Sequence, residues 1–374
     1  MKKFNSKLKM GPIDYPLFYV VFFILAIGVV MVYSASTYYA MYVIGSHDSM
    51  YFLKRQALFA VVGIITMLFM MAFDYHKLKK LMPIILIGTV VLLIAVFFFP
   101  AVKGAQRWIN IGPLNLQPSE VAKYAVVIFL AMSLEQKGER VKGLVYGVVP
   151  YLVFSGFFAG MVLLQKNLSI ACVIMIVTLI VLFVSGARLK DFAVILPVLF
   201  AGAVFFIFSE PYRKARLLNF INPWQDPAGD GYQLIQSFLA LGSGGITGLG
   251  LGQSRQKTLY MPEPHNDFIF SIIGEELGLI GCLFIIVLFG ILIWRGLTIA
   301  IKAKDTYGTL LAVGITSVIA VQAIINIAVV TGSMPVTGVP LPFISSGGSS
   351  LVINMTAMGI LLNISRQTEK SDVF

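Results

Sequence analysis

Residues 268–294 read FIFSIIGEELGLIGCLFIIVLFGILIW, an apolar run interrupted only by glycines, Ser271 and the acidic pair Glu275 and Glu276. At 1.5 Å per residue, a helix of this length crosses roughly 30 Å of hydrocarbon. Nine more runs of similar character lie at about 15–34, 56–73, 81–99, 119–134, 144–163, 168–185, 191–208, 307–332 and 343–364. The 374 residues are 58% hydrophobic and 12% charged, with a mean hydropathy of +0.89, outside the range of a water-soluble domain. Strands of a membrane barrel would alternate in shorter segments, so the expected fold is an all-α polytopic membrane protein. Residues 1–374 read as a single integral membrane domain of about ten transmembrane helices.

The formal charge of +11 is scattered between apolar runs and forms no basic face, which excludes nucleic acid and points to lipid headgroups and topology. Cys172 and Cys282 sit in separate apolar runs and read as small buried hydrophobes. Lys2, Lys3, Lys7 and Lys9 precede the first run in the manner of a signal peptide, with Ser34-Ala35-Ser36 resembling a cleavage site. The run is too long for a signal peptide's core and reads as a retained anchor. An even number of spans puts both termini on one side, and the basic residues of the short loops make that side the cytoplasm.

One loop is long, about 209–266 between the seventh and eighth spans, and is expected on the outer face. Pro211–Trp224 mixes basic and apolar residues like an interfacial helix, and Gln233–Leu241 reads as a short helix or re-entrant segment. The glycine run Gly242–Gly252 lacks the spacing of a nucleotide loop. Its backbone N–H groups suit either a hinge or an anion cradle, with Arg255 and Lys257 supplying charge. A second outer segment, 103–113, leads through Gln117-Pro118-Ser119 into a helix carrying Glu120 and Lys123 on one face. A third, 335–350, ends in the small residues Ser345-Ser346-Gly347-Gly348.

Asp267 heads the eighth span, with Ser271 and Glu275 below it on one helical face. Carboxylates at that depth face the bundle interior or water. Glu275 and Glu276 read equally as members of structural ion pairs, with Lys123 or Arg107 as partners. Asp267, next to His265 at the water boundary, reads as catalytic. His47 and His76 lie in short loops with no evident partners.

Seven ordered blocks resemble the SEDS family of peptidoglycan glycosyltransferases: Arg107–Ile109, Gln117–Lys123, Tyr232–Ser237, Gly242–Gly245, Pro262–Phe268, Gly274–Gly278 and Pro340–Ser350. Gln253–Lys257 and the Ser345-Ser346 pair resemble the division and sporulation branch (FtsW, SpoVE) more than the elongation branch (RodA). The resemblance implies polymerisation of lipid II at the outer face of the bacterial cytoplasmic membrane, for division or sporulation septum synthesis. It implies a class B penicillin-binding protein (transpeptidase) as partner, beside other division or sporulation membrane proteins. The family's essential aspartate falls on Asp267, and its paired intramembrane charges fall on Glu120 and Lys123. The expected substrate-binding set is Arg107, Glu120, Lys123, Arg255, Lys257, His265, Glu275, Ser345 and Ser346, with Mg or Mn as the divalent cation if one takes part; no metal ligands are assigned. Two departures stand out: Asn266 replaces the usual threonine, and Lys166-Asn167-Leu168 replaces a Pro-Asp-Leu. The rival readings are a lipid II flippase and a non-catalytic scaffold for the transpeptidase.

Overall fold

A computed structural model describes residues 11–45, 48–102, 104–112, 114–209, 211–229 and 231–368. It is mostly helical: α1 (Tyr15–Tyr42), α2 (Tyr51–Ala72), α3 (Lys77–Ala95), α4 (Pro118–Lys137), α5 (Val149–Leu164), α6 (Leu168–Val184), α7 (Leu189–Phe208), α8 (Pro211–Ile221), α9 (Tyr232–Gly244), α10 (Ile269–Ile301), α11 (Thr306–Val330) and α12 (Gly348–Ser365). Eight of these helices are long and apolar enough to cross a membrane, so the chain is a multi-pass membrane protein. Among the ten expected spans, two fall outside the eight: α6, an apolar helix of 17 residues, and α4, which carries Glu120, Lys123, Glu135 and Lys137. Ile109–Ile111 and Leu114–Leu116 pair as a small antiparallel hairpin, a β element that the sequence reading did not foresee.

α11 is the axis of the bundle, 72% buried against α4, α6 and α10, while α7 is only 11% buried and stands at the periphery. α12 lies along α2, and at their crossing Gly359 leaves no room for a side chain against the Met67 carbonyl. The two described chain ends meet at one end of the bundle. Gly11 N–H donates to Arg366 O at 2.8 Å, and Asp14 both caps α1 and binds Arg295 of α10. We refer to this as the terminal end, and to the opposite one as the loop end.

The helix α1 extends to Tyr42, eight residues beyond the run read from hydropathy. Ser34 is therefore not at a helix boundary but in mid-helix, buried in the bundle. At the loop end, α8 forms a helix within the stretch read as interfacial, and α9 extends to Gly244 before the chain turns against α10. There α10 is broken at Gly278, whose φ of +68° strains any residue with a Cβ. The break frees four backbone groups, and the glycine loop fills them. Leu249 and Gly250 N–H donate to the Glu275 and Glu276 carbonyls at 2.9 and 3.0 Å, while Leu279 and Ile280 N–H donate to Gly245 and Ile246 at 2.9 and 3.2 Å. In hydrocarbon, each unmade bond of this kind would cost several kcal/mol. Gly248, at φ +81°, packs its Cα on the Glu276 carbonyl and the Gly278 amide. The glycines thus serve close docking: the N–H groups of Leu249 and Gly250 are already used and form no anion cradle.

Candidate functional site

The loop end gathers the sequence-predicted residues around one short segment, 341–350. On one side, Ser346 N–H donates to His265 O at 2.9 Å and the Ser345 hydroxyl donates to Asn266 O at 2.9 Å. Ser345 Oγ also accepts from Leu341 N–H at 2.8 Å, so its hydroxyl is occupied in bracing the His265–Asp267 turn. On the other side, Ser349 Oγ accepts from Gln117 N–H at 3.2 Å and the Ser350 hydroxyl donates to Glu120 at 2.8 Å. Two halves of the site far apart in sequence therefore meet across five residues.

Asp267 lies half-buried just before α10, which begins at Ile269. Buried Asn326 of α11 donates both amide hydrogens, to Asp267 O at 2.7 Å and to Val339 O at 2.8 Å. This clamps the turn to the 335–340 segment, where a Cβ on Gly338 would lie 3.2 Å from Asp267 Oδ2. Beside Asp267, His265 is 3% exposed and packs its ring on Phe52, centroids 4.2 Å apart, and on Tyr39 at 5.1 Å. Asn326 was not singled out from the sequence. The signal was present: an amide within the apolar run 307–332, whose only side-chain amides are Gln322 and Asn326, is expensive unless it bonds across helices.

The remaining candidate carboxylates are sealed. Glu120 and Lys123 pair at 2.9 Å with both side chains 0% exposed. Glu276 pairs with Lys257 at 2.7 Å, and both contact the Ser34 hydroxyl. Glu275 accepts from Ser254 Oγ and from the N–H groups of Arg255 and Gln256, at 2.9 and 3.3 Å for the two amides. The ion-pair reading of Glu276 thus holds with a different partner, Lys257 instead of Lys123 or Arg107. Lys257 is turned inward, 3% exposed, and presents no charge to a ligand outside, a correction to its reading as an anion contact. Its backbone lies in the loop that docks on α10, so the local charge of Glu276 captures it.

Arg107 reaches the α5–α6 hairpin, donating to the Gln165 and Lys166 carbonyls. Asn167, at the place of the missing aspartate, caps α6 by accepting from Ile170 N–H at 3.3 Å, and Ser169 donates to Thr337 O at 2.6 Å. The hairpin is thereby tied to the same 335–340 segment as Asp267. Arg255 is exposed, and its guanidinium has no partner among the described residues. No three His, Cys, Asp or Glu side chains among the described residues are placed to hold a metal.

A second polar cluster sits at the terminal end. His76, expected to stand alone, bridges Asp74 at 2.8 Å and Asp305 at 2.9 Å, and Tyr75 OH donates to Asp305 at 2.6 Å. The Asp305 carboxylate beside it, with Asp74, holds the His76 ring above its ordinary value against the opposing effect of burial. Burial pushes the Asp305 carboxyl up, but hydrogen bonds from His76, Tyr75 and Gly308 N–H outweigh it and hold it at about 2. The cluster joins the α2–α3 turn to the start of α11. His47 lies outside the described residues.

A multi-pass helical bundle with its charges buried in pairs, and one half-buried carboxylate braced at the mouth, is the class that fold and site define. The chain belongs to the FtsW, RodA and SpoVE family, whose model, described as "Cell cycle protein", matches residues 15–370. It is 45% identical over 349 residues to the stage V sporulation protein E of Bacillus subtilis, covering 92% of this chain and 94% of that one. It is 43% identical to the probable peptidoglycan glycosyltransferase FtsW of Geobacter sp. (strain M18), covering 90% and 92%. Among solved structures, a chain of a peptidoglycan synthase complex that coordinates polymerization and crosslinking superposes with a TM-score of 0.78 at 28% identity, over 96% of this chain and 99% of that one. The rod shape determining protein RodA of Thermus thermophilus superposes at 0.68 with 26% identity, over 96% and 98%.

Proposed function

We propose that this protein is a peptidoglycan glycosyltransferase that polymerises lipid II into glycan strands at the outer face of the cytoplasmic membrane, with both termini in the cytoplasm. One observation carries the catalytic assignment. Of the four carboxylates that the sequence marks at the loop end, Glu120, Glu275 and Glu276 are 0% exposed inside the bundle, whereas Asp267 is only half-buried and keeps part of its surface exposed. Asp267 accepts the proton of the acceptor sugar hydroxyl as its oxygen bonds to the donor's anomeric carbon, and the bond from that carbon to the undecaprenyl pyrophosphate breaks. General-base catalysis of this kind contributes about 10²- to 10⁴-fold. Negative charge grows on the departing pyrophosphate, and the exposed Arg255, whose guanidinium has no partner among the described residues, is the cation assigned to stabilise it.

The names of the FtsW relatives support the activity, and the synthase complex supports a crosslinking partner such as a class B penicillin-binding protein at a division or sporulation septum. A flippase calls for substrate groups near the midplane, whereas here the buried charges crowd toward the loop end, where Glu120 pairs with Lys123 and Glu276 with Lys257. A scaffold leaves the bracing of Asp267 without a purpose. Asp267→Asn, purified and correctly folded, is expected to lower lipid II polymerisation by about 10²-fold or more, measured by glycan-strand electrophoresis. Polymerisation at the normal rate would remove the assignment.

A further inference from the structure

Beside the Asp267 turn lies a cavity of about 320 Å³, walled by α8, the start of α9 and Val336. Arg216, Asn219, Phe220, Tyr232 and Gln233 line it. Arg216 donates weakly to Val336 O at 3.4 Å, which lays α8 against the 335–340 segment. The side chains of Asn219, Tyr232 and Gln233 make no hydrogen bond to any described residue, although all three are half-buried. Val336 is two residues from Gly338, where an added Cβ would lie 3.2 Å from Asp267 Oδ2, and Pro262, which also lines the cavity, leads into the Asp267 turn.

The chemistry of this lining is specific. Two amides and a phenol offer donors and acceptors together, which complements sugar hydroxyls and an acetamido group, each of which also does both. An aromatic ring presents a flat apolar face to the C–H face of a pyranose. A pyrophosphate would call for several donors and cations, and only one lining side chain is charged. The volume is at the small end for a ligand site, enough for one substituted ring. We propose that this cavity is a saccharide subsite that seats one N-acetylated pyranose ring of the polyprenyl-linked substrate beside Asp267. The assignment rests on the glycosyltransferase reading and deepens it.

The test measures binding to the purified full chain in the Asp267→Asn background, where substrate is not consumed. Two probes are used, lipid II and undecaprenyl pyrophosphate, which has no sugar. Asn219→Ala combined with Gln233→Ala is expected to weaken lipid II binding about tenfold, for two hydrogen bonds lost, and to leave undecaprenyl pyrophosphate binding unchanged. Retained binding of the second probe also shows that the variant is folded, and Gln233→Leu alone, expected to weaken lipid II binding by a smaller factor, stands in if the double variant is not. Equal loss of both probes would mean that the cavity holds pyrophosphate, and no loss of either would mean that it holds nothing of the substrate; both overturn the proposal. A wild-type chain that does not bind lipid II at all overturns the glycosyltransferase reading, and the subsite with it.

Discussion

Replacing Lys257 with methionine separates a structural charge from a functional one. Its ammonium lies 2.7 Å from Glu276 and 3.0 Å from the Ser34 hydroxyl, and the two charged side chains are 3% and 0% exposed. Removing one partner of such a pair strands the other in a low-dielectric interior, a penalty of about 3–5 kcal/mol. At roughly 2 °C per kcal/mol for a chain of this size, the melting temperature of detergent-solubilised protein should fall by about 6–10 °C. Tryptophan fluorescence on heating reports it. Adding Glu276→Gln removes the stranded charge, and the double variant should recover more than half of the loss. A substrate contact would behave differently: Lys257→Met would slow polymerisation at unchanged melting temperature, and Glu276→Gln would rescue nothing. A fall under about 2 °C, or no recovery in the double variant, would refute the buried-pair account.

Gly248→Ala combines a positive φ, worth about 1–2 kcal/mol, with a collision against the Glu276 carbonyl. It should lower stability by about 3 kcal/mol or more by thermal melting, whereas Gly252→Ala, at φ +80° with open space around it, should cost only about 1 kcal/mol. Asn326→Leu leaves the Asp267 and Val339 carbonyls without donors and should cost about 2–4 kcal/mol, with polymerisation reduced well beyond the loss of folded protein, as read by activity per folded molecule. The His76 bridge predicts a pH dependence. Because its folded value lies above the ordinary 6.5, its stabilisation is complete below that pH and fades as pH rises through the raised value. Wild-type melting should decline by roughly 2 °C on that rise, an amount suited to a half-exposed pair, and His76→Gln should flatten the profile.

Hydropathy located the long helices because lipid imposes a length and a composition that can be read residue by residue. It gave the bundle, the position of the long loop along the chain and a helix at α8. Its boundaries failed where a helix leaves the apolar run, as α1 does between Ser34 and Tyr42. The motif blocks likewise brought forward Asp267, Glu120 and Lys123, because charged residues in or at the edge of an apolar helix are costly enough to stand out. The roles of their neighbours were another matter.

Whether a lysine faces a substrate or a buried glutamate depends on which loop packs against which helix, and no local pattern records that. The sequence shows Lys257 near Arg255 in a basic stretch; the docking of the glycine loop into the break of α10 turns one inward and leaves the other exposed. Similarly, Ser345 and Asn326 lie 79 and 59 positions along the chain from Asn266 and Asp267, whose backbone oxygens they brace. By itself the sequence determined that this chain must be a helical membrane protein with a carboxylate at the mouth of the bundle, since burial costs act position by position. Only the tertiary structure decided which charges cancel in the interior and which carboxylate stays half-exposed, because pairing energy depends on distances between segments that the chain order keeps apart.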